Sequence, residues 1–221
     1  VSPGGIRLGA VTHSRSERAA LCDLLDDLGP DAPTLCAGWT TADLAAHLVV
    51  RERRPDALPG IGIGALAPYT ASVQERLKAR HSYPELVDLV RQGPPKWTPY
   101  GLIPGIDELI NTVEMFVHHE DVRRAQPDWE PRELPAGLDD VLWQRLRAMA
   151  RLFFRGSPVG VVLRRTNGEK AAGRMAEPAV VAIGDAQELM MLAFGRQAHA
   201  RVSYEGDPAA VTQLREARLG M

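Results

Sequence analysis

The hydrophobic period of this chain changes once, near Gly156, and that single change restricts the architectures open to it. From Thr12 to about Arg155 apolar residues recur at steps of three and four, as on amphipathic helices; beyond Gly156, short β-branched runs alternate with turn signals. The pattern predicts a first helix near Ser14–Leu28, stopped by Gly29–Pro30, and a second starting at Thr40 and ended by Pro55. Thr40 and Asp43 have capping-box spacing, and Trp39 stands where a hydrophobic staple would. A third helix is expected near Tyr69–His81, resuming over Pro84–Gln92, a fourth near Pro104–Ala125, and a fifth over Leu138–Phe154. After Gly156, strands are expected at Val159–Arg165, Ala171–Met175, Ala179–Ile183 and Ala198–Tyr204, with Asn167–Gly168 marking a hairpin. Helices over Ala186–Phe194 and from Asp207–Pro208 onward complete an α+β chain. The expected domains are a helical bundle over 1–155 and a small α+β domain over 156–221.

A chain of 221 residues can bury a full core, and its formal charge of −2 gives no electrostatic reason to expect nucleic acid as a partner. The basic clusters Arg51–Arg53–Arg54 and Arg123–Arg124 are interleaved with acids and read as solvated helix faces. There is no apolar run long enough to span a membrane. Val1–Ala10 lacks the charged and apolar regions of a signal peptide, so a cytoplasmic location is the expectation. Cys22 and Cys36 form no CxxC and have no histidine beside them in sequence; they read as small buried or half-buried apolar residues. Gly60–Ile61–Gly62–Ile63–Gly64 looks like a nucleotide-binding loop, yet it follows a helix and lacks the spacing and downstream acid; a flexible interhelical loop is expected.

Chemistry concentrates on the fourth helix. Glu114 and His118 lie four residues apart, so a carboxylate and an imidazole share one face at a reach that suits a common metal ion. Asn111 and Asp121 extend this polar line beside Ile110, Val113 and Val117, and polar groups bordering a core are costly unless satisfied. Metal ligation would satisfy them, with Asp121 orienting an imidazole; an exposed helical Glu–His pair is the alternative. His119 is rotated about 100° away from His118 and is not expected on the same ion. A third ligand must come from elsewhere, and His47, flanked by Leu44 and Leu48 on the second helix, is the best candidate, against a hydrogen-bonded structural histidine. His13, His81 and His199 read as surface or satisfied residues.

The segment Thr34–Leu35–Cys36–Ala37–Gly38–Trp39–Thr40–Thr41–Ala42–Asp43–Leu44–Ala45–Ala46–His47–Leu48 resembles a helix-two signature of the mycothiol-dependent maleylpyruvate isomerase-like family. Asn111–Thr112–Val113–Glu114–Met115–Phe116–Val117–His118–His119–Glu120–Asp121 is similar to that family's second ligand segment. Leu189–Met190–Met191–Leu192–Ala193–Phe194–Gly195–Arg196 with Tyr204–Glu205–Gly206–Asp207 is similar to its sterol-carrier-like second domain, a weaker signal. The resemblance implies a DinB-like four-helix bundle with a connecting helix, and His47, Glu114 and His118 as three metal ligands. It does not transfer the isomerase reaction.

Three ligands with an open position form the catalytic rather than the structural zinc arrangement, although the donor set also suits nickel, iron or cobalt. On such a site the ion would hold a small thiol, mycothiol if the resemblance holds, for attack on an electrophilic substrate, giving transfer or isomerisation. Arg196 is a candidate for binding an anionic group, or simply complements a helix dipole; Arg51 is a candidate cofactor-binding residue, or is solvated. The alternatives are a non-catalytic metal-binding protein, a small-ligand carrier, and a hydrolase taking Glu52 or Asp121 as base. Bundles of this kind also offer apolar faces through which a homodimer could form.

Overall fold

A computed structural model describes residues 12–103 and 105–220, which fall into two compact units, Val1–Trp129 and Glu130–Met221. The first unit is helical: α1 (His13–Leu28), α2 (Thr41–Arg53), α3 (Pro59–Gly62), α4 (Ala67–Arg80), α5 (Tyr83–Gln92), α6 (Pro99–Leu102) and α7 (Ile106–Arg123). Its core gathers Leu21 and Leu25 of α1, Leu44 and Leu48 of α2, Leu86 and Val90 of α5, and Met115 and Val122 of α7. Each such side chain contributes about 1.5–3 kcal/mol by leaving water.

Helix ends are set as the sequence indicates, with two differences. The Thr40–Asp43 capping box forms, Thr40 N–H donating to Asp43 Oδ2 at 2.9 Å. A second box, Ser82 with Glu85, makes α5 a separate helix. His13 is the first residue of α1 rather than preceding it, and the Glu108 carboxylate accepts from the His13 and Ser14 amides at 3.2 and 3.0 Å. The glycine-rich segment is not a plain loop: it forms α3 and a 3₁₀ turn over Gly64–Leu66. A Cβ at Gly60 would stand 2.1 Å from Thr70 Oγ1 and 2.5 Å from Leu66 O. That glycine therefore serves close packing, not phosphate binding.

The second unit holds α8 (Leu138–Phe153), β1 (Gly160–Arg165), β2 (Lys170–Arg174), β3 (Ala179–Gly184), α9 (Ala186–Ala193), β4 (Ser203–Glu205) and α10 (Pro208–Glu216). The sheet order is β2-β1-β3-β4, with β1 antiparallel to β2, parallel to β3, and β3 antiparallel to β4. The Asn167–Gly168 turn joins β1 to β2, with Gly168 at φ 92°. The last strand is shorter than expected: Gln197–His199 is a 3₁₀ turn, so His199 lies outside β4. Helix α8 was expected in the bundle, with the boundary at 155/156. It belongs to the second unit, whose division from the first falls at 129/130, because its buried Leu142, Leu146 and Phe153 face the sheet and α9. At the end of α8, Gly173 of β2 leaves the space that Phe154 fills; a Cβ there would meet the ring at 2.9 Å. The chain is α+β, a helical region followed by a small sheet domain.

Candidate metal centre

Helices α2 and α7 bring His47, Glu114 and His118 into one neighbourhood. Both histidines are buried, and their rings meet edge to face with centroids 5.5 Å apart. His118 Nε2 lies 3.6 Å from Glu114 Oε2, while His118 Nδ1 is 3.1 Å from Asp121 Oδ2. The line Asn111–Glu114–His118–Asp121 thus faces inward, and Ile110, expected beside the core, is exposed. An exposed helical Glu–His pair does not describe this arrangement. His119 turns away, as its rotation on the helix requires, and its Nδ1 is 3.2 Å from Glu17 Oε2.

His47 is the unusual group. It is 8% exposed, and its ring packs against those of Trp39 and His118. Burial, with the nearby His118 and Arg51 cations, pushes its pKa down to about 3, so the ring is neutral and keeps a lone pair. Trp39, placed for a staple, lies against His47 with centroids 4.9 Å apart. Beyond it opens a cavity of about 300 Å³ lined by Trp39, His47, Ala67, Thr70, Ala71 and Gln74. His118 behaves oppositely: burial lowers its pKa, but Asp121 and Cys36 beside it outweigh that and raise it to about 10.

Arginine and carboxylate pairs hold the carboxylate edge of this centre. Arg51 is buried rather than solvated: its guanidinium donates to Asn111 Oδ1, lies 3.3 Å from Glu114 Oε1, and sits 5.6 Å from the centroid of the Tyr100 ring. Glu52 is not available as a base, because both its oxygens accept from Arg18, at 2.6 and 2.8 Å, and Asn111 Nδ2 adds a third bond at 3.1 Å. Arg124 likewise is buried on Glu120, at 2.6 Å, under the Trp129 ring. Reading these basic clusters as solvated faces fails for Arg51 and Arg124, which are buried against carboxylates of α7, whereas Arg54 remains exposed beside Asp56. Arg196 is in the second unit, past the C-terminal end of α9, where its Nη1 donates to the Phe194 carbonyl at 2.5 Å. Phe194 is the C-cap of α9, so the contact sets the guanidinium against the end of that helix.

One site residue escaped the sequence reading. Cys36 Sγ is 3.3 Å from Asp121 Oδ2, and Cys36, His118 and Asp121 each present a ligand atom within 4.8 Å of the others. Cys36 lies in the segment before α2 and the histidine beside its thiol lies on α7, so sequence neighbours gave no sign of it.

The chain matches no protein-family model and no curated protein. Among solved structures it is similar to the mycothiol-dependent maleylpyruvate isomerase and to a histidine-to-alanine variant of that protein. Each match has a TM-score of 0.55 at 16% identity and covers 87% of this chain and 90% of the other. The chain shares that isomerase's fold. At this identity the likeness concerns architecture alone. Among the described residues, no helix is long and apolar enough to cross a membrane.

Proposed function

We propose that this chain is a metal-dependent enzyme that uses a small thiol, with a divalent ion, zinc by preference, on His47, Glu114 and His118. The observation that carries the reading is the meeting of two buried imidazoles, His47 and His118, with centroids 5.5 Å apart beside the Glu114 carboxylate. Burial keeps the His47 ring neutral, and its lone pair suits a cation. Asp121 accepts a hydrogen bond from His118 Nδ1–H and so turns Nε2 toward Glu114; the three ligand atoms do not all stand within 4.8 Å of one another, so an ion would draw them together. When bound, the ion supplies Lewis acidity that keeps a thiol as its thiolate near neutral pH.

The chain's own residues do the remaining work. Arg51 fixes Glu114, Asp121 fixes the His118 ring, and Trp39 screens the centre from water. The cavity beside His47 receives a small electrophile. There the thiol sulfur forms a bond to an electron-poor carbon while the π pair moves toward a carbonyl; the freed carbon–carbon bond can rotate, and loss of the thiol returns the double bond. The fold shared with a mycothiol-dependent isomerase supports mycothiol as the thiol and an unsaturated oxo-acid such as maleylpyruvate as a first substrate.

The test is isomerisation of maleylpyruvate by the zinc-loaded chain with and without mycothiol. Turnover that needs both ion and thiol, and disappears in His47→Ala, is the expected result. A chain that binds zinc yet neither turns over maleylpyruvate nor lowers the pKa of added mycothiol would overturn the proposal.

A further inference from the structure

The ring of His118 has two nitrogens with unlike surroundings, and the function proposed above places its ion on only one of them, using the other to orient the ring. Nε2 looks toward Glu114 and His47, whereas Nδ1 looks toward Asp121 and Cys36. We propose that Cys36, Asp121 and His118 Nδ1 form a second cation seat, selective for thiophilic divalent ions such as zinc or cadmium.

The geometry suits such an ion. Two ligands on one tetrahedral zinc stand about 3.3–3.8 Å apart, given metal–ligand bonds of about 2.0–2.3 Å. Here Asp121 Oδ2 is 3.3 Å from Cys36 Sγ and 3.1 Å from His118 Nδ1, so a small outward adjustment accommodates the ion. The seat is also built. Leu35 N–H donates to the Asp121 carbonyl at 3.0 Å, tying the segment that carries Cys36 to the turn of α7 that carries Asp121. Thr34 Oγ1 accepts from the Cys36 amide at 3.2 Å, and Trp39 N–H donates to the Cys36 carbonyl at 2.9 Å. These bonds fix the thiol before any ion arrives. Cys36 is half-buried while Asp121 is fully buried, so an ion has a way in along the sulfur.

Softness separates the two seats. A sulfur donor favours zinc, cadmium or copper(I) over harder ions, whereas imidazoles with a carboxylate accept a wider range. An ion at Cys36 would also take Asp121 from its role as the acceptor that orients His118. The two seats are thereby coupled through one ring, and a thiophilic ion in excess would act against the Nε2 seat.

Cadmium titration of the metal-free full-length chain tests this, read by the near-ultraviolet thiolate-to-cadmium band. About one equivalent of thiolate-bound cadmium is expected in the parent and in Cys22→Ser, and none in Cys36→Ser. His118→Ala and Asp121→Asn should weaken it by at least the ~10–100-fold that loss of an outer partner costs a metal site. The band should survive His47→Ala, which separates this seat from the site of the proposed function. Alkylation of the unaltered chain gives the answer without substitution: cadmium should slow carbamidomethylation of Cys36 at least tenfold. No band, or a Cys36 band unweakened by both His118→Ala and Asp121→Asn, would overturn the proposal.

Discussion

At the scale of single residues, the bundle is organised by charges that are buried in pairs. Arg18 and Glu52 sit side by side in the interior, with 5% and 1% of their side chains exposed, and Asn111 links them to Arg51 and Glu114. Removing one member leaves the other charged and unpaired out of water, which costs about 3–5 kcal/mol. Arg18→Met is therefore predicted to lower the denaturation free energy by that amount, while the double variant Arg18→Met, Glu52→Leu recovers most of it. Chemical denaturation of the three proteins checks this; equal destabilisation in single and double variants would contradict it. These residues also show what local reading misses. The Arg51–Arg53–Arg54 run looks solvated because acids flank it, yet Arg51 finds Asn111 and Glu114 about sixty positions away. Cys36 was opaque for the same reason, since Asp121 and His118 approach it only through the packing of α7 against the segment before α2. The Glu114–His118 spacing, in contrast, carries its geometry in the helix itself.

At the scale of elements, the start of α2 decides where His47 points. The capping box satisfies helix-end donors, and Lys78 of α4 adds an ion pair to Asp43 at 2.5 Å. Thr40→Ala should cost about 1 kcal/mol. Burial is the largest single effect on Asp43 and pushes its pKa up, but hydrogen bonds from Lys78 and Thr40 together outweigh it and hold the carboxyl below its ordinary value. A depressed folded pKa means the contribution is complete above the unfolded value of about 4 and is lost as pH falls through the folded one. The stability gap between the parent and Asp43→Asn should accordingly shrink on acidification below about pH 4 and stay constant above about pH 5. Thermal melts across that range measure it. Gly60 holds α3 against α4 at the cavity beside His47, so Gly60→Ala should destabilise by about 1–3 kcal/mol through overpacking. The caps and the Asn167–Gly168 turn were readable because they are local signals. The close approach at Gly60 was not, because its cause is Thr70, on another helix.

At the scale of the whole molecule, the helical-then-sheet order was legible from the change in period, but the placement of α8 was not. An amphipathic helix announces that it has a buried face, not which layer will cover it; Leu142, Leu146 and Phe153 serve the sheet unit. Between the units, residues 127–137 carry no helix or strand and are mostly exposed. Limited proteolysis is predicted to cut there before it cuts within either unit, giving fragments that divide near 129/130; first cleavage near 155/156 would contradict that division. The most direct test of the central claim is the zinc content of Cys36→Ser protein, which lacks the second seat, purified without chelator or affinity-tag metal and measured by elemental analysis beside folded Cys36→Ser, His47→Ala and Cys36→Ser, His118→Ala double variants. About one equivalent is expected in Cys36→Ser and none in either double variant. Zinc kept in Cys36→Ser, His47→Ala would contradict the claim, as would a Cys36→Ser protein that takes up none.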